Sequence, residues 1–483
     1  MSKYSSVVMD RIAGVLVGTA CGDALGAGYE FGPALEPEVP VSMTGEGPFG
    51  FEPGEWTDDT SMAIAIAELA AGADLRMAST QDQLVRRWID WTRVSKDVGV
   101  QTASVLSSAS KQGTALAATE AARQHHERTG RSAGNGSLMR TAPVALAFLD
   151  DAAALARVAR SVGSLTHFDE DAGDACVLWC LAIRHAVLHG EFDVRIGLDS
   201  LASDRQRIWS ERIQEAEQLR PRDFTNNGWV VQAFQGAWSA IHNTPVPVNN
   251  AAKHTYEAQH LQLALEATVR GGNDTDTVAA IAGGLLGARW GVSAVPVEWQ
   301  RKLHGWPDLR QRDLVRLAIA VADPALEERS LDYDYLRQYS TTTIHPHDSG
   351  VILGSVNGLV GASADIDAVV SLCRMDARYR PAGVDDENLI EIWLTDSDDP
   401  DGNAHCHFVL SQAAEAVTQL RREGHTVYLH CAAGQSRTPA VAALVGASVK
   451  GIKPAMALVE VAAALPDARV NPLFVRLLDE LAQ

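Results

Sequence analysis

Four glycines stand four residues apart near the start of the chain, at Gly14, Gly18, Gly22 and Gly26, inside an apolar stretch from Ile12 to Leu25. On an α-helix this spacing places all four on one face. Each costs up to about 1 kcal/mol against alanine in a helix interior. Close approach of a second helix is the natural compensation, so the segment is expected to be a core helix. The apolar stretch itself is too short to cross a bilayer and contains Asp23.

The pattern changes once along the chain. From Met1 to about Ala325, Ala-rich segments such as TSMAIAIAELAAG, DACVLWCLAIRHAVLHG and TVAAIAGGLLGARWG recur between Gly, Asn, Asp and Pro clusters. From about Leu331, short strand-like runs appear instead: GVILGSV, AVVSLC, NLIEIWL and TVYLH. Helix-like segments lie between and after them, which indicates an α/β unit with a largely parallel sheet. At 483 residues the chain exceeds one ordinary core. The expectation is multidomain: an all-α domain over residues 1–328, then a small α/β domain over residues 329–483.

Charge narrows the partners. The chain carries 41 Lys plus Arg against 61 Asp plus Glu, formally −20, which argues against nucleic acid as the main partner. Six cysteines form no CxxC pair and no disulfide framework. That usage suits a reducing cytoplasm, and no membrane association is expected.

Two carboxylate clusters open apolar helices. The first is Glu55-Trp56-Thr57-Asp58-Asp59-Thr60; the second is GGNDTDTVAAIAGG, with Asp274, Asp276 and Thr277. Helix capping accounts for either alone. Two in one helical domain carry more negative charge than capping needs, and if the helix starts meet, a cation must lie between them. Oxygen donors without His or Cys select Mg²⁺, Mn²⁺ or Ca²⁺ over zinc. The second cluster lacks the glycine and terminal Glu of an EF-hand. It also matches the DxDx[TV] pattern of haloacid-dehalogenase-type phosphatases, but EATVRGGN before it makes a poor strand.

Five blocks then resemble one family in the family's own order. GDALGAGYEF, WTDDTSMA, GNGSLMRTAPVAL, LTHFDEDAGDA and GGNDTDTVAAIAGGLLGA are similar to the signature blocks of the ADP-ribosylglycohydrolases, whose fold is all-helical with a binuclear Mg²⁺ or Mn²⁺ site. The resemblance implies metal ligation by Thr57, Asp58, Asp59, Asp274, Asp276 and Thr277. It makes Glu30 the acidic residue of the gating loop, and Asn135, Gly136 and Ser137 the turn around the ADP-ribose phosphates. His167 falls near the ribose and diphosphate, and Asp23 takes a supporting role. The implied reaction cleaves the glycosidic bond of an ADP-ribosylated protein or small ADP-ribose derivative, with ADP-ribosyl-arginine favoured.

A second chemistry-bearing motif lies in the α/β part. In TVYLHCAAGQSRTPAVAALVG, a strand delivers Cys431, five residues follow (Ala432, Ala433, Gly434, Gln435 and Ser436), and Arg437 opens a helix. A loop of that length can wrap one phosphate with its N–H groups while Arg437 grips two oxygens. The helix dipole favours a thiolate at Cys431. The rival reading, a rhodanese-like sulfurtransferase, typically has a loop one residue shorter.

This segment resembles the dual-specificity tyrosine-phosphatase class, HCxxGxxR[ST], through His430, Cys431, Gly434, Arg437 and Thr438. The resemblance implies a cysteinyl-phosphate intermediate with no cofactor, Thr438 assisting departure of the thiolate, and an upstream Asp as general acid. Asp399 has the class spacing and Asp398 is the second choice, both in LTDSDDPDGN. His405-Cys406-His407 reads as structural. The expected molecule is a bifunctional hydrolase acting on an ADP-ribosylated and an unidentified phosphorylated substrate. The alternatives are the same hydrolase with a phosphate-binding regulatory C-terminal domain, or a binding module without turnover.

Overall fold

The computed structural model describes residues 3–327, 331–362, 366–399 and 402–481, so the boundary expected at 328/329 lies outside the described residues. The first part is helical. Helices α1 (Ser6–Gly26), α2 (Asp58–Ala70), α3 (Glu170–His189), α4 (Thr275–Trp290) and α5 (Gln311–Ala322) frame its core. That core also buries Trp56, Trp88, Trp179 and Trp209 almost completely.

Glycine spacing sets the central packing. A Cβ placed on Gly14, Gly18 or Gly22 would fall within 3 Å of the α4 carbonyl oxygens of Gly287, Gly283 and Ala279 respectively. The reciprocal clash holds for Gly283 against Gly18 and Gly287 against Gly14. The two helices therefore run antiparallel with their backbones in contact, which only glycine permits. Gly26 meets the backbone of Asp276, so the same seam sets the end of α1 against the start of α4. Including its final turn, Ser6–Tyr29 has the length and apolarity of a membrane span, longer than the sequence stretch implies; 89% of its apolar window is buried inside the protein.

Among its described residues the second part holds five strands, β1 (Thr343–His345), β2 (Asp348–Ser355), β3 (Ala368–Ser371), β4 (Leu389–Glu391) and β5 (Val427–Cys431). Their order is β1-β2-β5-β3-β4, with β1 antiparallel to β2 and the other pairs parallel. Every residue of the central β5 is buried, as the run of apolar residues in a doubly covered strand requires. Helices α6 (Cys406–Arg422) and α7 (Arg437–Lys450) follow β4 and β5. Cys431 thus stands at the carboxyl end of a central parallel strand, where open α/β sheets bind ligands.

The two parts share a substantial interface. Phe408 of α6 joins the helical core and meets Tyr256 edge-on at 5.8 Å. Arg301 donates to Asn388 at 2.8 Å and pairs with Glu423 at 2.7 Å. Arg312 pairs with Asp386, and Arg316 reaches both the Met375 carbonyl and Glu391.

A carboxylate centre and a thiolate cleft

The α1–α4 seam gathers carboxylates from three segments. Asp23, near the end of α1, accepts from the N–H groups of Thr57 at 2.9 Å and Thr60 at 3.0 Å, and from the Thr60 hydroxyl at 2.6 Å. This fastens the start of α2 to α1. Thr57 Oγ1 in turn donates to Asp59 at 3.0 Å. Carboxylate oxygens of Asp23, Asp59 and Asp276 lie within 4.8 Å of one another, as do those of Glu30, Asp274 and Asp276.

These groups are starved of compensation. Glu30 Oε2, Asp59 Oδ1 and Asp276 Oδ1 are buried without a hydrogen-bond partner. Burial, then the neighbouring Asp97, Asp23 and Asp274 charges, push Asp58 up to about 8. Burial followed by Asp274, Asp97, Asp58 and Asp23 pushes Glu30 up to about 8. Asp59 and Asp276 are driven well above the ordinary carboxylate range by the same two causes. Native structures rarely leave ionisable oxygens so exposed to one another. Hard oxygen donors in this density fit one or two divalent cations such as Mg²⁺ or Mn²⁺.

The remaining expected residues surround this cluster. Asp58 stands outside both triplets and accepts from Gly99 N–H at 3.3 Å. Thr277, one residue after Asp276 on α4, is buried. Asn135 Nδ2 donates to Asp274 at 2.7 Å and to the Asn227 carbonyl at 3.0 Å, while its backbone N–H is spent on Gly228. Gly136 faces the His167 ring, since a Cβ there would sit 3.1 Å from Cε1. Ser137 is fully buried. Burial, then the Arg140 and His125 charges, hold His167 well below its ordinary range, so its ring is neutral and accepts or donates at Nδ1 with Thr166 at 2.7 Å. Asp97 is a further carboxylate, partly buried, whose charge bears on Asp58 and Glu30. It precedes Gly99 in a loop with no motif of its own.

The second site is a cleft of about 320 Å³ lined by Asp396, Cys431, Ala432, Ala433, Gln435, Ser436, Arg437, Arg469 and Asn471. Gly434 adopts φ +74° against the Gly354 carbonyl, a conformation and a proximity that exclude a side chain. Burial alone would raise the Cys431 thiol. The Arg437 charge, the Thr438 hydroxyl and N–H, and the Gly434 N–H outweigh it and bring the thiol below its ordinary value. Arg437 Nη1 donates to the carbonyls of Leu372 at 2.6 Å and Leu394 at 2.9 Å, and its buried Nε makes no hydrogen bond but lies 3.9 Å from Asp396 Oδ2. The arrangement offers a nucleophile beneath an anion cradle.

The acidic run resolves into two environments. Asp396 lines the cleft and accepts from Ser436 Oγ at 2.8 Å. All three aspartates are exposed, but Asp398 and Asp399 do not line the cleft. Asp396 lies 35 residues before Cys431, and counting the class spacing from the cysteine passes over it.

The helical part thus holds a buried polycarboxylate centre, and the sheet presents a thiol over an anion cradle. The sequence profile of the ADP-ribosylglycohydrolases matches residues 5–331, and the chain belongs to that family. It is 30% identical over 329 residues to the ADP-ribosylarginine hydrolase Tri1 of Pseudomonas putida (strain GB-1), covering 67% of this chain and 81% of that one. It is 28% identical to the ADP-ribosyl-[dinitrogen reductase] glycohydrolase of Rhodospirillum rubrum, over 65% of this chain and 97% of that one. Among solved structures, an ADP-ribosylglycohydrolase-related protein complex superposes with a TM-score of 0.47 at 27% identity, covering 65% of this chain and 98% of that one. Human DUSP28 superposes with a TM-score of 0.25 at 23% identity, covering 28% of this chain and 90% of that one.

Proposed function

We propose that the helical part hydrolyses the N-glycosidic bond of ADP-ribosyl-arginine and that the α/β part is a cysteine phosphatase. Glycohydrolase activity follows from family membership; the arginine linkage is supported by the names of two relatives at 30% and 28% identity. The observation that carries the first reading is the cluster of buried, unpartnered carboxylate oxygens. Asp59, Asp274 and Asp276, with Thr57 and Thr277, would hold Mg²⁺ or Mn²⁺, while Asp23 braces the start of α2. The bound cations would supply charge stabilisation and a hold on the ribose hydroxyls. Glu30 closes the cluster from its loop and orients the attacking water. Water adds to the ribose C1, the bond from C1 to the guanidino nitrogen breaks and that nitrogen takes a proton, so the products are ADP-ribose and an unmodified arginine side chain.

Release of ADP-ribose from an ADP-ribosyl-arginine protein, with Mg²⁺, Mn²⁺ or EDTA, tests this directly. Metal-dependent release is expected, with Asp276→Ala inactive under every condition. No release with either cation would remove the arginine linkage.

In the second reaction the Cys431 thiolate attacks phosphorus, the ester P–O bond breaks, and Asp396 gives its proton to the leaving oxygen. Water then cleaves the S–P bond, its proton passing to Asp396, and the Thr438 hydroxyl hydrogen-bonds the departing thiolate. The lowered thiol and the position of Asp396 on the cleft support this reading. Hydrolysis of 4-nitrophenyl phosphate by the full chain, abolished in Cys431→Ser, is the expected result.

A further inference from the structure

The segment carrying Asp396, between β4 and α6, has no α-helix or strand among its described residues from Ile392 to His405. Such a coil needs outside anchors to hold a side chain in place, and here the anchors come from the helical bundle. Thr395 Oγ1 lies 2.8 Å from Ser6 Oγ at the first residue of α1. Trp393 packs against the helical core. At the far end, His405 Nε2 donates to the carbonyl of Trp290, the last residue of α4, at 2.8 Å, with their rings 5.7 Å apart. Burial brings His405 down to about 4, so the ring is neutral and Nε2 carries the proton.

The anchors are joined inside the segment. Asn403 accepts from the Thr395 N–H at 2.8 Å and donates to the Thr395 carbonyl at 2.7 Å. Leu394 is fixed in addition by its carbonyl, which receives Arg437. The residue immediately before Asp396 is therefore held by its hydroxyl, its N–H and its carbonyl. Two of the routes end on α1 and α4, the helices whose opposite ends form the carboxylate centre.

We propose that Ser6 and the Trp290 carbonyl, acting through Thr395, Asn403 and His405, are positioning elements for Asp396, so that the glycohydrolase domain sets the geometry of the phosphatase acid. This rests on the phosphatase reading above. Proton delivery tolerates little misplacement: an error of about 1 Å in a reacting group costs on the order of a hundredfold.

The test uses the full chain and two esters, phenyl phosphate, whose leaving group needs the proton, and 4-nitrophenyl phosphate, whose leaving group scarcely does. His405→Ala, and Ser6→Ala combined with Thr395→Val, are expected to lower kcat on phenyl phosphate by about tenfold or more, within the range of general-acid contributions. On the nitrophenyl ester the loss should stay under about twofold by the same argument. His405→Gln, which keeps a donor, should restore most of the loss. An equal loss on both esters, or none on either, overturns the proposal. Amide hydrogen exchange provides an activity-independent reading: in His405→Ala it should quicken at 392–399 and stay unchanged in β5. Unchanged exchange at 392–399 overturns the clamp even if the parent hydrolyses neither ester, a result that would itself count against the phosphatase reading.

Discussion

Asp396 and Asp399 sit three residues apart in one acidic run, and only their surroundings distinguish them. Asp396 meets Ser436 on the cleft wall, whereas Asp399 does not line the cleft. Asp396→Asn is expected to slow phenyl phosphate hydrolysis by about a hundredfold, at the lower end of general-acid effects, while Asp399→Asn leaves kcat within about twofold. Comparable losses in steady-state assays of both variants would remove the assignment. Cys431 supplies a pH prediction. The Arg437 charge favours its thiolate, so the folded thiol ionises below its ordinary value of 9.0. Iodoacetamide inactivation of the parent should persist as pH falls below that value, and Arg437→Met should shift the profile upward. The sequence made some of these residues legible and hid others for a physical reason. Thr57–Asp59, Asp274–Thr277 and Cys431–Thr438 each form a short polar run at a helix start, so local spacing marks them although their partners across the fold are distant. Asp97 and Asp396 are brought to their sites by loops packed against distant segments, and no local pattern marks them.

At the scale of elements, the α1–α4 seam turns a local spacing into the position of the carboxylate centre. Four-residue glycine spacing announced a close helix contact but could not name the partner, because Gly283, Gly284 and Gly287 of α4 carry a less regular pattern. Gly283→Ala would press a methyl group into the Gly18 carbonyl. A loss of about 3 kcal/mol is expected, the upper range for overpacking a rigid core, whereas Gly72→Ala, which meets nothing within 4 Å, should change the thermal midpoint little. The opposite end of the seam is pH-sensitive. Asp10 of α1 is buried and receives the N–H and hydroxyl of Ser293 beyond α4. Burial, only partly offset by those bonds, pushes it up to about 7, from 3.8. A raised carboxylate binds its proton more tightly when folded, so stability falls as pH rises from about 4 through 7 and is lowest above that window. Asp10→Asn should flatten that part of the thermal-midpoint curve; an unaltered slope would place the pH dependence elsewhere.

For the whole molecule, the carboxylate centre and the thiol cleft lie in different parts that pack against each other. Ser6, beside the Asp396 segment, and Asp23, in the carboxylate centre, are 17 positions apart on α1, about 25 Å at helical rise. One small substrate therefore cannot occupy both sites, and any joint action falls on a macromolecule or on separate ligands. The joint itself mixes apolar and charged contacts. Phe408 sits in the helical core, and Arg316 of α5 pairs at 3.2 Å with Glu391 of β4, whose carboxylate is almost wholly buried. Burial raises Glu391, and Arg316, Arg380 and Arg312 counter it. Removing one member of such a pair leaves a buried charge uncompensated, at a cost of about 3 kcal/mol or more. A large interface with an apolar centre also couples the unfolding of the units it joins. The parent should thus give one calorimetric transition. Arg316→Met should lower its midpoint or split it in two, and the double variant Arg316→Met/Glu391→Gln should recover much of the loss, because the second change removes the stranded charge. Two resolved transitions in the parent would mean that the units unfold independently, and that the contacts of Arg316 and Phe408 hold the domains in place without making them one cooperative body.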